Sequence, residues 1–263
     1  MPRLWQTIVS IWAWLVLVVC ILLWFPALIL ARLLTAPFDR GRYIPGLMFR
    51  KIAPTMASLN PLWRFRYSGA LPENPRRPFV VVSNHESFTD ILLISHLPWE
   101  MKWLSKAELF RIPIMGWMMW LAGDIPVKRG FGPSAVEAMA RCRVALAHRV
   151  SVMIFPEGTR SKTAELLPFK DGAFRLAIEA AVPILPLAVS GTSTALRKHD
   201  WRFGKSVAEV RVLAPVDTTG MTLADVPALK SRVRAMIVEA RDLLSSSQVA
   251  RRANSADRTG QRE

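Results

Sequence analysis

The sequence predicts an α/β domain: a mixed, largely parallel sheet flanked by helices, carried behind an N-terminal hydrophobic, membrane-anchoring helical segment. Three observations predict it. From residue 61 onward, short β-branched runs alternate with helical stretches, the pattern of strand–helix–strand units. The runs FVVVSN (79–84) and VSVMI (150–154) are apolar almost throughout, as strands covered on both faces are. And 28 residues between Arg3 and Arg32 carry no charge, where a membrane-spanning helix needs about 20.

The apolar segment comes first. A cleaved signal peptide has an apolar region of roughly 7–15 residues and a small-x-small site; this run is longer and no Ala-x-Ala follows it. Trp5, Trp12, Trp14 and Trp24 suit an interfacial anchor. Pro26 permits a kink or break, so the segment is either one tilted span or two helices dipping into one leaflet. Arg3 precedes it, whereas Arg32, Arg40, Arg42, Arg50 and Lys51 follow; that asymmetry puts the rest of the chain on the cytoplasmic face of the inner (plasma) membrane. Residues 1–60 thus form the anchor and an amphipathic connector.

The α/β domain spans 61–246. LWRFRYSG (62–69) alternates apolar and basic residues as a half-buried strand does, and LPENPRRP (71–78) is a turn. The run 79–84 is a strand and TDILLISHL (89–97) a helix. RIPIMGWMMWLAG (111–123) is an apolar helix, and DIPVKRG (124–130) a short strand running into glycine turns. SAVEAMARCRVALAHR (134–149) is an amphipathic helix with Ser134 as N-cap and Glu137 completing a capping box. Strands follow at 150–159, 183–191 and 207–216, with helices at 174–181 and 223–246. Residues 247–263 lack periodicity and read as a disordered, solvated tail.

Composition narrows the chemistry. Basic residues exceed acidic ones by 15, so the partners are anionic: acidic lipid, a phosphorylated or thioester-carrier substrate, or nucleic acid. The basic residues are spread along the chain and the aromatics concentrate in apolar segments, which argues against nucleic acid. Cys20 and Cys142 make no disulfide scaffold. The four histidines (His85, His96, His148, His199) have no metal-ligand spacing, and no phosphate-binding glycine loop is present.

Four segments can carry chemistry. In Asn84-His85-Glu86-Ser87-Phe88-Thr89-Asp90, side chains five apart on a continuous helix would diverge by roughly 140°. Here a turn separates them, so Asp90 in the first helical turn can accept from His85 Nδ1 and leave Nε2 free as a base. The structural alternative is a loop histidine and a helix N-terminal charge. Phe155-Pro156-Glu157-Gly158-Thr159-Arg160 follows a strand, where α/β folds place ligands; alone it is also an ordinary turn. Gly123–Gly130 holds Lys128 and Arg129 between glycines, a phosphate cradle or a surface turn. Val182-Pro183-Ile184-Leu185-Pro186 reads as buried strand.

In this order, behind a membrane anchor, the four blocks resemble the glycerophospholipid acyltransferase family, most closely the bacterial 1-acylglycerol-3-phosphate acyltransferases. The resemblance covers roughly residues 60–220. The second block departs from the usual pattern at Pro126 and Val127, with Arg129 in place; Lys106 also resembles a basic residue of the family. The resemblance implies transfer of an acyl chain from acyl-CoA or acyl-carrier protein to the hydroxyl of 1-acylglycerol-3-phosphate, giving phosphatidic acid, without a metal or other cofactor. It makes His85 the general base and Asp90 its orienting partner. Arg129, Lys106 and Lys128 would lie near the acceptor phosphate, Glu157, Gly158, Thr159 and Arg160 would shape the acceptor site, and Pro183 with its strand would support it. The membrane lysophospholipid and an anionic membrane surface are the implied partners. Glycerol-3-phosphate, a lyso-ornithine lipid or another lysophospholipid remain alternative acceptors. The rival readings are a serine lipase or thioesterase, for which Gly191-Thr192-Ser193-Thr194-Ala195 lacks the final glycine of a nucleophile elbow, and a non-enzymatic basic membrane protein, which leaves the His85–Asp90 block unexplained.

Overall fold

The computed structural model describes residues 3–161, 165–196 and 200–260, with side chains through residue 249. His199 and positions 261–263 of the expected tail lie outside the described residues. Seven strands, β1 (Trp63–Gly69), β2 (Val80–Ser83), β3 (Met101–Lys106), β4 (Ile125–Val127), β5 (Ser151–Ile154), β6 (Ile184–Ser190) and β7 (Ser206–Val212), form one sheet. Their order is β1-β7-β6-β2-β5-β3-β4. Every neighbouring pair is parallel except β6–β7, as the alternation of strand and helix predicts.

β2 and β5 are buried at every position, because both faces of the sheet are covered. Val80, Val82, Ile184 and Ala188 point into a core with α6 (Gly132–Ala147), α7 (Gly172–Glu179) and α8 (Val226–Gly260). Phe79, Val81, Leu185, Leu187 and Val189 point the other way, onto Leu93 and Ile94 of α4 (Asp90–Ile94) and onto Trp99 and Trp103. The alternation follows from the two-residue period of a strand.

α1 (Arg3–Thr35) is one continuous helix with Pro26 inside it, long and apolar enough to cross a membrane. Only 22% of its most apolar stretch is buried. Its inner face packs along the protein. Val9 and Ala13 meet Met56 and Ala57 of α3 (Ile52–Ser58); Val16, Cys20 and Leu28 share a cluster with Met118 of α5 (Met115–Ala122). Of the four tryptophans expected at a membrane interface, three donate their indole N–H to protein carbonyls: Trp12 to Leu59, Trp14 to Trp201, Trp24 to Met48. The outer face, including Leu4, Ile11, Leu15, Leu22, Leu23 and Leu30, is bare. Such an apolar face anchors the chain to a lipid phase.

Two expectations differ from the structure. The predicted helix end near Ser246 falls inside α8, which continues to Gly260. Leu244 is buried, Ser245 Oγ lies 3.0 Å from Ser190 Oγ, and the Gln248 amide donates to the Ser190 carbonyl; packing on β6 carries the helix past the point where periodicity fades. α6 starts at Gly132, with Pro133 in its first turn, rather than at an Ser134 cap. Ser134 Oγ accepts the Lys128 backbone N–H at 2.9 Å and so closes the loop before the helix.

Candidate active site

β2 delivers the first functional side chains. Where its ladder ends, Asn84 continues it with a side chain: Nδ2 donates to the Val189 carbonyl (2.9 Å) and Oδ1 accepts the Val189 N–H (2.8 Å). This locks the end of β2 to β6. His85 follows immediately. Its backbone N–H donates to Glu157 Oε1 at 2.8 Å, and its carbonyl accepts the Ser161 N–H. Its ring stacks on Phe155, centroids 3.9 Å apart and planes at 14°.

The turn between His85 and Asp90 does what the spacing requires. Asp90 begins α4 and is fully buried. Its Oδ2 lies 2.8 Å from His85 Nδ1 and accepts the backbone N–H groups of Glu86 (2.7 Å) and Ser87 (3.0 Å). Oδ1 accepts the Thr192 hydroxyl. A carboxylate oxygen that takes two backbone N–H groups can only accept from the ring, so Nδ1 carries the proton and the neutral imidazole presents Nε2 as its lone pair. Nε2 has no partner among the described residues.

The basic residues divide. β3 and β4 pair so that Lys106 faces Val127, which sets Lys128 and Arg129 beside Lys106. These three cations, with Glu108 and Phe131, wall a cavity of about 380 Å³. Lys106 also pairs with Glu108 at 3.4 Å. Arg160 and Thr159 are exposed, and neither is part of that wall.

The Phe155–Arg160 block proves to be scaffolding at two of its positions. Glu157 is buried and both its oxygens accept backbone N–H groups, from His85 and from Leu167 (3.0 Å). Burial pushes its carboxyl up, against the pull of those two amides. Gly158 sits at φ 70°, a left-handed backbone that favours glycine, and the end of the Lys170 side chain lies close above it. Pro183 accepts the Val80 N–H at the start of β6, the end of the strand away from His85. β6 supports the site through Val189 instead.

An apolar groove of about 370 Å³ runs beside the dyad, walled by Phe88, Thr89 and Ile91 on the site side and by Leu17, Ile21 and Met56 of α1 and α3. Of the apolar segment 111–123, Ile112, Pro113, Met115 and Met119 line it. Met118 is core, and Trp117 and Trp120 face outward.

Asn84, Glu86, Thr89 and Thr192 escape sequence reasoning. Asn84 and Glu86 flank His85, but their partners lie more than 100 positions away. Thr89 donates to the Thr192 carbonyl, and nothing in Gly191-Thr192-Ser193 announces a contact with Asp90.

The chain is similar to known proteins in sequence and in fold. The sequence model of the family described as Acyltransferase matches residues 64–190. A human 1-acyl-sn-glycerol-3-phosphate acyltransferase alpha is 42% identical over 173 residues, 65% of this chain and 61% of that protein. The mouse protein of the same name is 38% identical over 198 residues, 74% of this chain and 70% of that protein. The chain thus spans less than two thirds of the human relative's length. In fold it is similar to the crystal structure of a 1-acyl-sn-glycerophosphate acyltransferase, PlsC, from Thermotoga maritima. That match has a TM-score of 0.77 and 23% identity, and covers 93% of this chain and 98% of the other. With a relative at 38% identity aligned over most of both chains, this protein belongs to the acyltransferase family.

Proposed function

We propose that this protein transfers a fatty acyl chain from an acyl thioester to the free hydroxyl of 1-acylglycerol-3-phosphate, giving phosphatidic acid. The observation that carries the reading is the His85 Nδ1–Asp90 Oδ2 contact of 2.8 Å, with Nε2 unpartnered among the described residues; the three-cation cavity and the apolar groove add surfaces for a phosphate and an acyl chain. The relatives' names supply the acceptor.

In this reading His85 Nε2 takes the proton of the acceptor hydroxyl as that oxygen attacks the thioester carbonyl carbon. The carbon–oxygen bond forms; the tetrahedral intermediate then collapses and the carbon–sulfur bond breaks. The imidazolium returns its proton to the departing thiolate. Asp90 does not take the proton; it steadies the charged ring and holds its tautomer. A thioester is already electrophilic, so a positioned base, worth typically 10²–10⁴-fold, completes the step without a covalent enzyme intermediate or a cofactor. Lys106, Lys128 and Arg129 hold the acceptor phosphate, and Glu157 and Gly158 keep the loop under His85 in shape. The groove takes an acyl chain. The bare face of α1 sits in the bilayer beside a lipid acceptor, with the catalytic domain on the cytoplasmic face. The net charge of +15 draws the domain to anionic lipid and to an anionic donor, acyl-CoA or acyl-carrier protein.

The test supplies membranes holding wild type or His85→Ala with labelled acyl-CoA or acyl-carrier protein and a panel of acceptors. Phosphatidic acid from wild type alone is expected. A different acylated lipid, lost in the variant, would overturn the acceptor and keep the base. Equal transfer by His85→Ala would overturn the mechanism.

A further inference from the structure

Thr192 has one proton and two carboxylates within reach. Its hydroxyl donates to Asp90 Oδ1 and lies 3.4 Å from Glu86 Oε2. The Asp90 contact is much the shorter, so the proton points there. The face of the Thr192 oxygen turned to Glu86 is then a lone pair, and a hydroxyl has no second hydrogen to offer. An ionised Glu86 would meet that lone pair with Asp90's charge directly beyond it. A protonated Glu86 would meet it with a hydrogen bond.

The surroundings favour the protonated form. Burial, then the Asp90 charge, push the Glu86 carboxyl up to about 7. Two charged groups face it: Asp90 on its own loop and the Arg241 guanidinium from α8, which opposes the rise and is itself paired with Asp242 at 2.7 Å. From the loop after β6, the Gly191 amide also opposes it. His85 reaches the same Asp90 carboxylate through the other oxygen.

We propose that Glu86, as a neutral acid, donates to Thr192, which donates to Asp90, extending the His85–Asp90 pair into a four-group chain in which Glu86 and Thr192 are positioning residues. Neither touches substrate. They fix Asp90 from the side opposite the imidazole, so that its remaining oxygen stays aimed at Nδ1. When Glu86 ionises it must compete for the Thr192 proton and repel Asp90, and the aim loosens. The inference rests on His85 being the base of the proposed reaction.

A double-mutant cycle over a pH series, on the full-length protein in lipid micelles, tests it. Thr192→Val and Glu86→Ala should each lower kcat about tenfold, on the order of one hydrogen bond lost from the transition state, with KM unchanged. Thr192→Val removes both links, so adding Glu86→Ala to it should cost nothing more. Thr192→Ser should restore kcat. Glu86→Gln keeps a donor at every pH, so it should match wild type at roughly pH 6 and stay flat to roughly pH 9, where wild type falls. Multiplying losses in the double variant would overturn the chain. So would a Glu86→Gln profile superimposed on wild type, or a wild-type kcat that rises where Glu86 ionises. Transfer by His85→Ala would sink the functional reading itself; an inactive His85→Ala beside multiplying losses would sink this inference alone.

Discussion

Asp124→Ala probes how the N-terminal helices are held to the sheet. Four buried charges of zero net sum sit between them: Arg50 at the end of α2 (Tyr43–Arg50), Glu100 and Lys102 around the start of β3, and Asp124 after α5. The Arg50 guanidinium donates to Asp124 Oδ1 and to the Met101 carbonyl, with Nε 3.6 Å from Glu100. Lys102 holds Glu100 at 2.9 Å and spends further protons on the Arg42 and Ala122 carbonyls. Burial pulls the Lys102 ammonium down and pushes the Glu100 carboxyl up, and each partner counters the other. Truncating Asp124 removes the nearest anion from a buried guanidinium, a loss of about 3–5 kcal/mol. It also leaves the Trp103 N–H, now 3.0 Å from Asp124 Oδ1, without an acceptor. Glu100 compensates in part, so about 4 kcal/mol is expected. At about 2.1 cal/mol/K per residue over 263 residues, that shifts Tm down by about 7 °C. Urea unfolding in detergent, followed by tryptophan fluorescence, measures the change. The double variant Arg50→Met with Asp124→Leu removes both charges and should recover most of the loss, because a buried pair replaced by apolar groups leaves no stranded charge. Asp124→Ala within about 1 kcal/mol of wild type, or a double variant weaker than the single one, would refute the reasoning.

Three further outcomes are expected. Glu157→Gln keeps one acceptor oxygen for two backbone N–H groups, so it should cost about 1–3 kcal/mol in urea unfolding and lower kcat more than it raises KM, because the loosened residue is His85. Arg129→Ala should raise KM for the lysophospholipid acceptor roughly 10–100-fold, the worth of one charge-assisted phosphate contact, with kcat nearly unchanged in initial-rate measurements. Glu86→Gln should flatten the pH dependence of stability. A carboxyl raised from 4.5 to about 7 binds more protons folded than unfolded, so wild type loses stability as pH rises through that window, by at most about 3 kcal/mol. Urea midpoints of wild type and variant at roughly pH 4.5 and roughly pH 8 measure the slope.

How much was legible in the sequence depends on the range of the interaction. β2, β5 and β6 are written in their β-branched runs, and the His85–Asp90 turn in the spacing of two residues. The meeting of Lys106 with Lys128 and Arg129 is not: it depends on β3 pairing with β4 in one register, and the sequence offered it only through resemblance. The Asn84–Val189 clamp and the Thr192 hydroxyl on Asp90 depend on β2 lying beside β6, a strand order that no local pattern encodes. Ser134 was legible as a cap and spends its oxygen on Lys128 instead, since a side chain that can cap a helix can equally close the turn before it. Glu157 was legible as a polar residue in a ligand loop; its two backbone partners, 72 and 10 positions away, make it a support.

The spacing of His85 and Asp90 carries a structural reason beyond bringing two side chains together. The loop between them is folded around the Asp90 carboxylate, which gathers the N–H groups of Glu86 and Ser87 on the same oxygen that takes the imidazole. The charge that orients the imidazole therefore also shapes the loop that carries it, and Asp90→Asn must disturb both. His85→Ala leaves the two backbone contacts to Asp90 in place and isolates the chemistry. The ring is fixed twice: Asp90 sets which edge faces inward, and Phe155, stacked at 3.9 Å, sets its plane. Phe155 follows β5 and Asp90 opens α4, so the orientation of Nε2 is set by two elements that meet only because β2 and β5 are paired. The sheet fixes the direction of the ring, and the local motif supplies its tautomer.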